Sequence, residues 1–266
     1  YWMQAAFKVF KLYGGQASET TIPNLSIGRL RSFLVPFPPL EIQRHIAAKL
    51  QELMNDIESA RNACEKQLEA AKALPSAYLR EVFESPEAKK WERKQIREYL
   101  TQNKYKKVEG ILQKYYKKSA NYPIIDQGQK LICGYTDEVK SLYKGELPVI
   151  IFGDHTRIFK YIDFPFAIGA DGTKIIRPNN EIFSPRFFYF ALLSLEIRDL
   201  GYSRHYKLLK EMSIPVPPLE TQRRIASQLK EKMDCVDKLR IEIEKQLEII
   251  NSLPQAILKK AFRGKI

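Results

Sequence analysis

The chain repeats itself at long range. The segment PFPPLEIQRHIAAKLQELM from Pro36 is matched by PVPPLETQRRIASQLKEKM from Pro215, a shift of 179 positions (215 − 36), and the match holds without a gap to the end of each copy. Lys66-Gln67-Leu68-Glu69 falls on Lys245-Gln246-Leu247-Glu248, Leu74-Pro75 on Leu253-Pro254, and Phe83 on Phe262. About half of the positions agree over roughly 48 residues, too many for chance, and so long a period is not that of a solenoid. It implies one helical element used twice with a whole domain between the copies.

Each copy reads as a long helix. The prolines at 36, 38 and 39, and at 215, 217 and 218, forbid helix upstream and give way at Leu40 and Leu219. Glu41 and Glu220 then sit in a first turn, where a carboxylate complements the helix dipole. The apolar positions run Ile46, Leu50, Leu53, Ile57, Ala60, Cys64, Leu68, Ala71 and Leu74 in the first copy. In the second they run Ile225, Leu229, Val236, Leu239, Ile243, Leu247, Ile250 and Leu253, with Lys232 interrupting one step. Steps of three and four make a narrow stripe, the seam of a coiled coil. Two such stripes are satisfied by packing on each other, antiparallel because a domain separates them, or by a seam between chains. Pro75 and Pro254 are expected to end the long helices, and a short amphipathic segment follows each (Ala77, Leu79, Phe83; Ala256, Leu258, Phe262).

Between the copies the texture changes. Runs rich in apolar and β-branched residues at Tyr122–Ile125, Leu147–Phe152, Phe164–Ile168 and Lys174–Ile176 read as strands. Turn signals punctuate them at Asp126-Gln127-Gly128, Lys144-Gly145, Gly153-Asp154 and Asp171-Gly172. Helix is expected at Trp91–Tyr99 and Pro185–Leu195. The fold class is therefore α+β: a globular domain with a mixed β-sheet and helices, plus two long helices in an antiparallel coiled coil. The boundaries expected are 36–85 for the first helical region, 86–214 for the domain and 215–266 for the second helical region. Residues 1–35 read as the C-terminal remnant of another such domain, whose front the chain lacks.

With 44 basic residues against 31 acidic, the formal charge is +13, and the resulting field favours polyanions. No run approaches the roughly 18–20 apolar residues of a membrane span, and no lipidation motif is present. Cys64, Cys133 and Cys235 are few, odd in number and unclustered. They suit a reducing compartment and small buried thiols, not a disulfide framework or a zinc site.

The charge gathers in places that suit nucleic acid. Lys104, Tyr105, Lys106, Lys107, Lys114, Tyr115, Tyr116, Lys117 and Lys118 interleave lysine with tyrosine, which gives phosphate attraction together with stacking or phosphate hydrogen bonds. A solvated loop or a lysine-guarded edge strand would have the same composition. His155, Thr156 and Arg157 follow a strand, where Arg157 is placed to read guanine and Thr156 a phosphate or base edge. Gln127, Gln129 and Lys130, Lys174 after a glycine turn, and Arg204, His205, Tyr206 and Lys207 complete the candidate set. Each of these alone is also an ordinary turn.

Catalytic readings find little support. Phe37-Pro38-Pro39-Leu40 and Val216-Pro217-Pro218-Leu219 lack the amide or acid and the aromatic that an amino-methyltransferase needs, and no glycine-rich phosphate cradle is present. Glu92-Arg93-Lys94 and Asp171 with Lys174 are weak substitutes for a nuclease's clustered carboxylates. Three histidines, His45, His155 and His205, without a nucleophile elbow do not make a triad.

The repeated Pro-x-Pro-Pro-Leu-Glu-x-Gln-Arg-x-Ile-Ala motif before a long helix resembles the specificity subunit of type I restriction–modification systems. So does the ending LPQAILKKAFRGKI from Leu253 to Ile266. YPIIDQGQ from Tyr122, FGDHTR from Phe152 and GADGTK from Gly169 look like that family's target recognition domains. The resemblance covers essentially the whole chain. It implies a non-catalytic subunit that reads a bipartite site in double-stranded DNA with two recognition domains held apart by paired helices. Modification subunits that bind S-adenosylmethionine and methylate adenine would dock on it, and a restriction subunit driven by ATP would join them. Those cofactors and Mg would belong to the partner subunits, with none bound directly. The setting implied is a prokaryotic cytoplasm, without membrane contact. The chain departs from the pattern in holding one complete recognition domain, so a half-subunit that pairs with a second copy is one expectation. Two other readings stay open: the recognition portion of a fused restriction–methyltransferase, and a coiled-coil scaffold without a DNA role.

Overall fold

The computed structural model describes residues 37–100, 109–170, 172–199, 201 and 204–262. They fall into two compact units, one holding the described residues up to Ala73 and from Val236 onward, the other Leu74–Cys235. The expected remnant at 1–35 lies outside the described residues.

Helix α1 spans Leu40–Phe83 and helix α4 Leu219–Ala261. Both begin where the proline runs release the backbone. The motif glutamine explains the start: Gln43 Nε2 donates to the Pro38 carbonyl at 2.7 Å, and Gln222 Nε2 to the Pro217 carbonyl at 2.8 Å. One side chain per copy thus satisfies a carbonyl of the run that precedes the helix.

In the first unit the two helices pair antiparallel. Leu50, Leu258 and Ala261 are buried together with Ile46, Met54, Ile257 and Phe262 around them. Farther along, Cys64 Sγ approaches Gln246 Oε1 at 3.9 Å. Ile57, Leu53, Leu68, Leu247 and Ile250 are half-buried, whereas Val236 and Ile243 are buried. Leu239 is a correction, being 47% exposed. At about 100° per residue it lies roughly 60° to one side of Val236, and Arg240 lies closer to the line through Val236, Ile243 and Leu247.

The helices also run through their prolines, Pro75 in α1 and Pro254 in α4, and do not stop there as expected. An internal proline costs about 3 kcal/mol. The alanines around Pro75 favour helix, and the turn beyond it buries Leu79 and Phe83 in the core of the second unit, at about 1.5–3 kcal/mol each. Under the 179-residue shift Leu79 and Phe83 correspond to Leu258 and Phe262, and Ile225 and Leu229 to Ile46 and Leu50. The packing inside one unit is thus remade by corresponding residues inside the other. Lys232, which breaks the stripe, lies 4.6 Å from the Tyr78 ring and 3.0 Å from Glu81.

The rest of the second unit is built from short strands. Strand β1 (Arg93–Gln95) pairs antiparallel with β8 (Ser213–Pro215), with Lys94 opposite Ile214. This replaces the helix expected at Trp91–Tyr99. Long-range pairing, continued by Ile96 N–H to Met212 O at 2.9 Å, overrides local propensity, and only a 3₁₀ turn remains at Ile96–Tyr99. A second sheet has the order β3-β2-β6, with β2 (Tyr122–Ile125) antiparallel to β3 (Gly134–Thr136) and parallel to β6 (Ala167–Ile168). A third has the order β5-β4-β7, formed by β4 (Val149–Gly153), β5 (Phe159–Ile162) and β7 (Thr173–Ile176), all antiparallel. The strands are therefore spread over three small sheets, not one, and of these only the β3-β2-β6 sheet is mixed.

Strand β4 divides the core. Ile150 and Phe152 face a cluster with Ile176, Phe183, Phe187, Phe188 and Leu209, whereas Val149 and Ile151 face Ile125, Ile162 and Phe166. That is the period of two expected of a strand buried on both sides. Helix α2 (Pro185–Leu193) supplies the phenylalanines, and α3 (Tyr206–Glu211) supplies Leu209. Gln222, fully buried, fastens α4 to this core: its Oε1 accepts the Ser184 N–H at 2.9 Å and its Nε2 donates to Ile182 O at 2.9 Å.

Candidate nucleic-acid interface

The end of β4 gathers the polar clusters that the sequence scatters. Gly153 closes the strand, and a Cβ there would collide with Thr156 Oγ1 and Gln127. Its glycine therefore lets the turn fold back onto the 126–133 loop. The turn is stapled by Arg157 N–H to Gly153 O at 2.8 Å, with Arg157 at a φ of 61°.

Asp154 is the hub and is 2% exposed. Its N–H donates to Gly172 O at 2.7 Å, and its carbonyl accepts the His205 N–H at 3.0 Å with His205 Nδ1 at 2.9 Å. Its carboxylate accepts the Tyr206 N–H at 2.8 Å and lies 3.6 Å from Lys174 Nζ. One acid thus joins the β4 turn, the turn before β7 and the start of α3.

The 126–133 loop is locked just as fully. Lys160, 4% exposed, donates to Asp126 O at 2.8 Å and Lys130 O at 2.6 Å, which fixes both arms. Asp126 Oδ1 accepts the Gly128 N–H and the Cys133 thiol, each at 2.7 Å, and Oδ2 accepts the Tyr116 hydroxyl at 3.1 Å. Thr156 Oγ1 donates to Gln127 O at 2.6 Å, and the His155 N–H to Gln127 Oε1 at 3.3 Å. Burial alone would raise the Asp126 carboxyl. The bonds from Cys133, Gly128 and Tyr116, with Lys160 nearby, hold it below the ordinary carboxylate value. Burial pushes the Cys133 thiol and the Tyr116 hydroxyl up, and Asp126 adds to both.

These bonds change several expected roles. His205 is fully buried and cannot touch a duplex. Arg157 is engaged by Asp199 Oδ2 at 2.7 Å and Ile197 O at 3.1 Å, so its guanidinium braces the turn. The Thr156 hydroxyl and Gln127 amide oxygen are taken up by bonds within the loops, although Thr156 itself is exposed, and Lys174 is drawn to Asp154. Tyr116 and Tyr206 are half-buried; Tyr206 stacks toward Phe152 at 6.2 Å, and burial raises its hydroxyl. Thr156 apart, the exposed candidates are Lys114, Tyr115, Lys117, Lys118, Gln129, Lys130, Arg204 and Lys207. Lys114 lies 4.9 Å from the Tyr115 ring, and Lys117 pairs with Asp137 at 2.9 Å. Lys104, Tyr105, Lys106 and Lys107 lie outside the described residues.

Sequence reasoning missed the residues that set the frame: Asp126, Asp154 and Lys160. The two acids follow directly on buried strands, and that position was their only signal. Lys160 had none, since alternation in Phe159–Ile162 reads most simply with the aromatics inward. Among the described residues no group of three or more His, Cys, Asp or Glu side chains is placed to hold a metal.

The model of the type I restriction modification DNA specificity domain matches residues 3–69 and 79–254. The chain belongs to this family. It is 27% identical to a putative type I restriction enzyme MjaX specificity subunit of Methanocaldococcus jannaschii, over 97% of this chain and 64% of that protein. It is 22% identical to the EcoBI specificity subunit of Escherichia coli, over 94% of this chain and 62% of the relative. The chain thus spans less than two thirds of either. A chain solved in work on assembly and conformational transition of a type I R-M system shares the fold, with a TM-score of 0.75 at 23% identity, over 98% of this chain and 69% of that one.

Proposed function

We propose that this specificity-family chain reads a base sequence in double-stranded DNA and directs adenine methylation and restriction by a type I restriction–modification assembly to it, without catalysing either step. The observation that carries the reading is the locked set of loops around Asp154 and Asp126, with exposed lysines beside them. Rigid loops present base-reading groups at fixed positions, and unpaired lysines supply phosphate attraction that is independent of sequence. The partners on this reading are modification subunits, which hold S-adenosylmethionine, and a restriction subunit, which uses ATP and Mg, in a prokaryotic cytoplasm. No described helix is long and apolar enough to cross a membrane. A bipartite target needs two reading domains, and a second copy of the chain would supply the other.

Selection by the full chain from a pool of randomised duplexes tests the reading. A defined sequence should be enriched, and its affinity should fall steeply with salt. A bound pool that stays random from low to moderate salt overturns the reading and leaves the scaffold alternative standing.

A further inference from the structure

We infer that the Asp126–Cys133 loop is a preorganised finger that reads base edges with Gln129, Lys130 and Leu131, and that Lys160 is its positioning residue. The inference rests on the DNA-reading proposal above and names the part of the interface that discriminates between bases.

The loop divides cleanly into a bonded inner side and an open tip. On the inner side, Lys160 ties Asp126 O to Lys130 O, and Asp126 gathers Gly128, Cys133 and Tyr116. Thr156 holds Gln127 O, and the Cys133 N–H closes on Ile124 O at 3.0 Å. On the open side stand Gln129, Lys130 and Leu131, all exposed, and Leu131 is 48% so. A leucine presented on a locked loop beside a glutamine and a lysine is wasteful for solubility. It matches the chemistry of a major-groove edge. Glutamine pairs with adenine N6 and N7, lysine with guanine O6 and N7, and an apolar group meets the thymine methyl. The exposed Lys114 and Lys118 adjoin this finger through Tyr116, whose hydroxyl is bonded to Asp126, and are placed for phosphate.

A buried lysine is an unusual clamp. Its ammonium is desolvated, and it is offset only by carbonyls, the thiol at 3.7 Å and the Asp126 carboxylate at 3.9 Å. An apolar residue in a neutral loop would be the simpler core choice. The charge has a clear use if the loop must keep one shape when it meets a polyanion.

The experiment compares full-length wild type, the tip variant Gln129→Ala/Lys130→Ala/Leu131→Ala, and Lys160→Met. Each is selected on the randomised duplex pool and then titrated on the selected and scrambled duplexes at several salt concentrations. The tip variant should melt like the wild type and lose roughly tenfold or more of its discrimination at one or two adjacent base pairs, with other positions unchanged. Lys160→Met should lose discrimination at those same base pairs and keep the wild-type salt slope, because a lysine contacting phosphate would lower that slope by about 0.9. Should Lys160→Met fail to fold, Thr156→Val, which removes the bond to Gln127 O and the long one from the Ile158 N–H, should give a smaller loss at the same positions. A wild type that selects a sequence while the tip variant selects the same one with unchanged preference refutes the finger and leaves DNA reading intact. Uniform weakening by Lys160→Met, or by Thr156→Val in its place, refutes the positioning role. A wild type that enriches nothing removes both proposals.

Discussion

At the scale of the residue, two carboxylates do most of the organising, and each invites a measurement. Asp154 accepts the Tyr206 N–H inside the core, so Asp154→Ala would strand a buried amide and leave Lys174 without its acid. The expected loss is about 1–3 kcal/mol, read as a lower urea midpoint with an unchanged slope. Asp126 makes a pH-dependent contribution. Its folded value lies below the roughly 3.9 of an unfolded aspartate, so the stabilisation is full above about pH 5 and is lost as pH falls through the folded value. Cys133 works in the opposite sense. Its folded value is raised, so its contribution holds below the ordinary thiol value near 8.5 and is lost as pH rises through the folded one. The stability gap between wild type and Asp126→Asn should therefore narrow below pH 4. Alkylation of Cys133, followed by mass spectrometry, should begin at lower pH in that variant, because its anionic neighbour is gone. An unchanged alkylation profile would mean that the carboxylate does not hold the thiol. The residue scale was also the least legible in the sequence. His205 and Arg157 look in sequence like groups offered to a ligand, and only the long-range bonds show His205 buried and Arg157 tied to Asp199.

Elements were far more legible, because their signals repeat. The proline runs, the acid in each first turn and the apolar stripe located both long helices. The motif glutamine was visible too, although its bonds to carbonyls of the proline run were not. Its two copies carry different loads. Gln222 is fully buried with three bonds, whereas Gln43 is half-buried and bonded to Pro38. Gln222→Ala should cost more than Gln43→Ala, by about 1–2 kcal/mol. Seam residues make an equally sharp contrast. Leu50 is fully buried against Leu258, so Leu50→Ala should cost about 2–5 kcal/mol. Leu239→Ala should stay within about 0.5 kcal/mol, since its side chain already faces water. Denaturation curves of the two variants decide this, and equal losses would put Leu239 back in the seam. The short strands were read less well, since β1 and β8 exist only through each other and no local pattern announces a three-residue pairing.

At the scale of the whole molecule, the repeat and the charge are the two properties that sequence displayed outright, and both acquire a physical meaning from the structure. The repeat is a packing rule: residues related by the 179-position shift bury one another's counterparts within each unit. The charge of +13 is unevenly committed. On the helices, Lys49, Arg61, Lys72, Lys230 and Lys245 sit within about a turn of an acid that partners them, and exposed pairs of this kind add little to stability. Among the described residues no ion pair engages Lys114, Lys118 or Lys130. Helix residues such as Lys66, Arg224 and Lys260 are likewise in no ion pair among the described residues, so what singles out Lys114, Lys118 and Lys130 is their place beside the locked loops. That placement gives a prediction about the full chain. The logarithm of its affinity for duplex DNA should fall linearly with the logarithm of salt, and Lys114→Ala with Lys118→Ala should reduce that slope by about 1.8. Lys49→Ala with Lys72→Ala removes the same charge from the helices and should leave the slope almost unchanged. Equal effects of the two pairs would mean that DNA senses only total charge, and the assignment of the contact surface to the loops would fail.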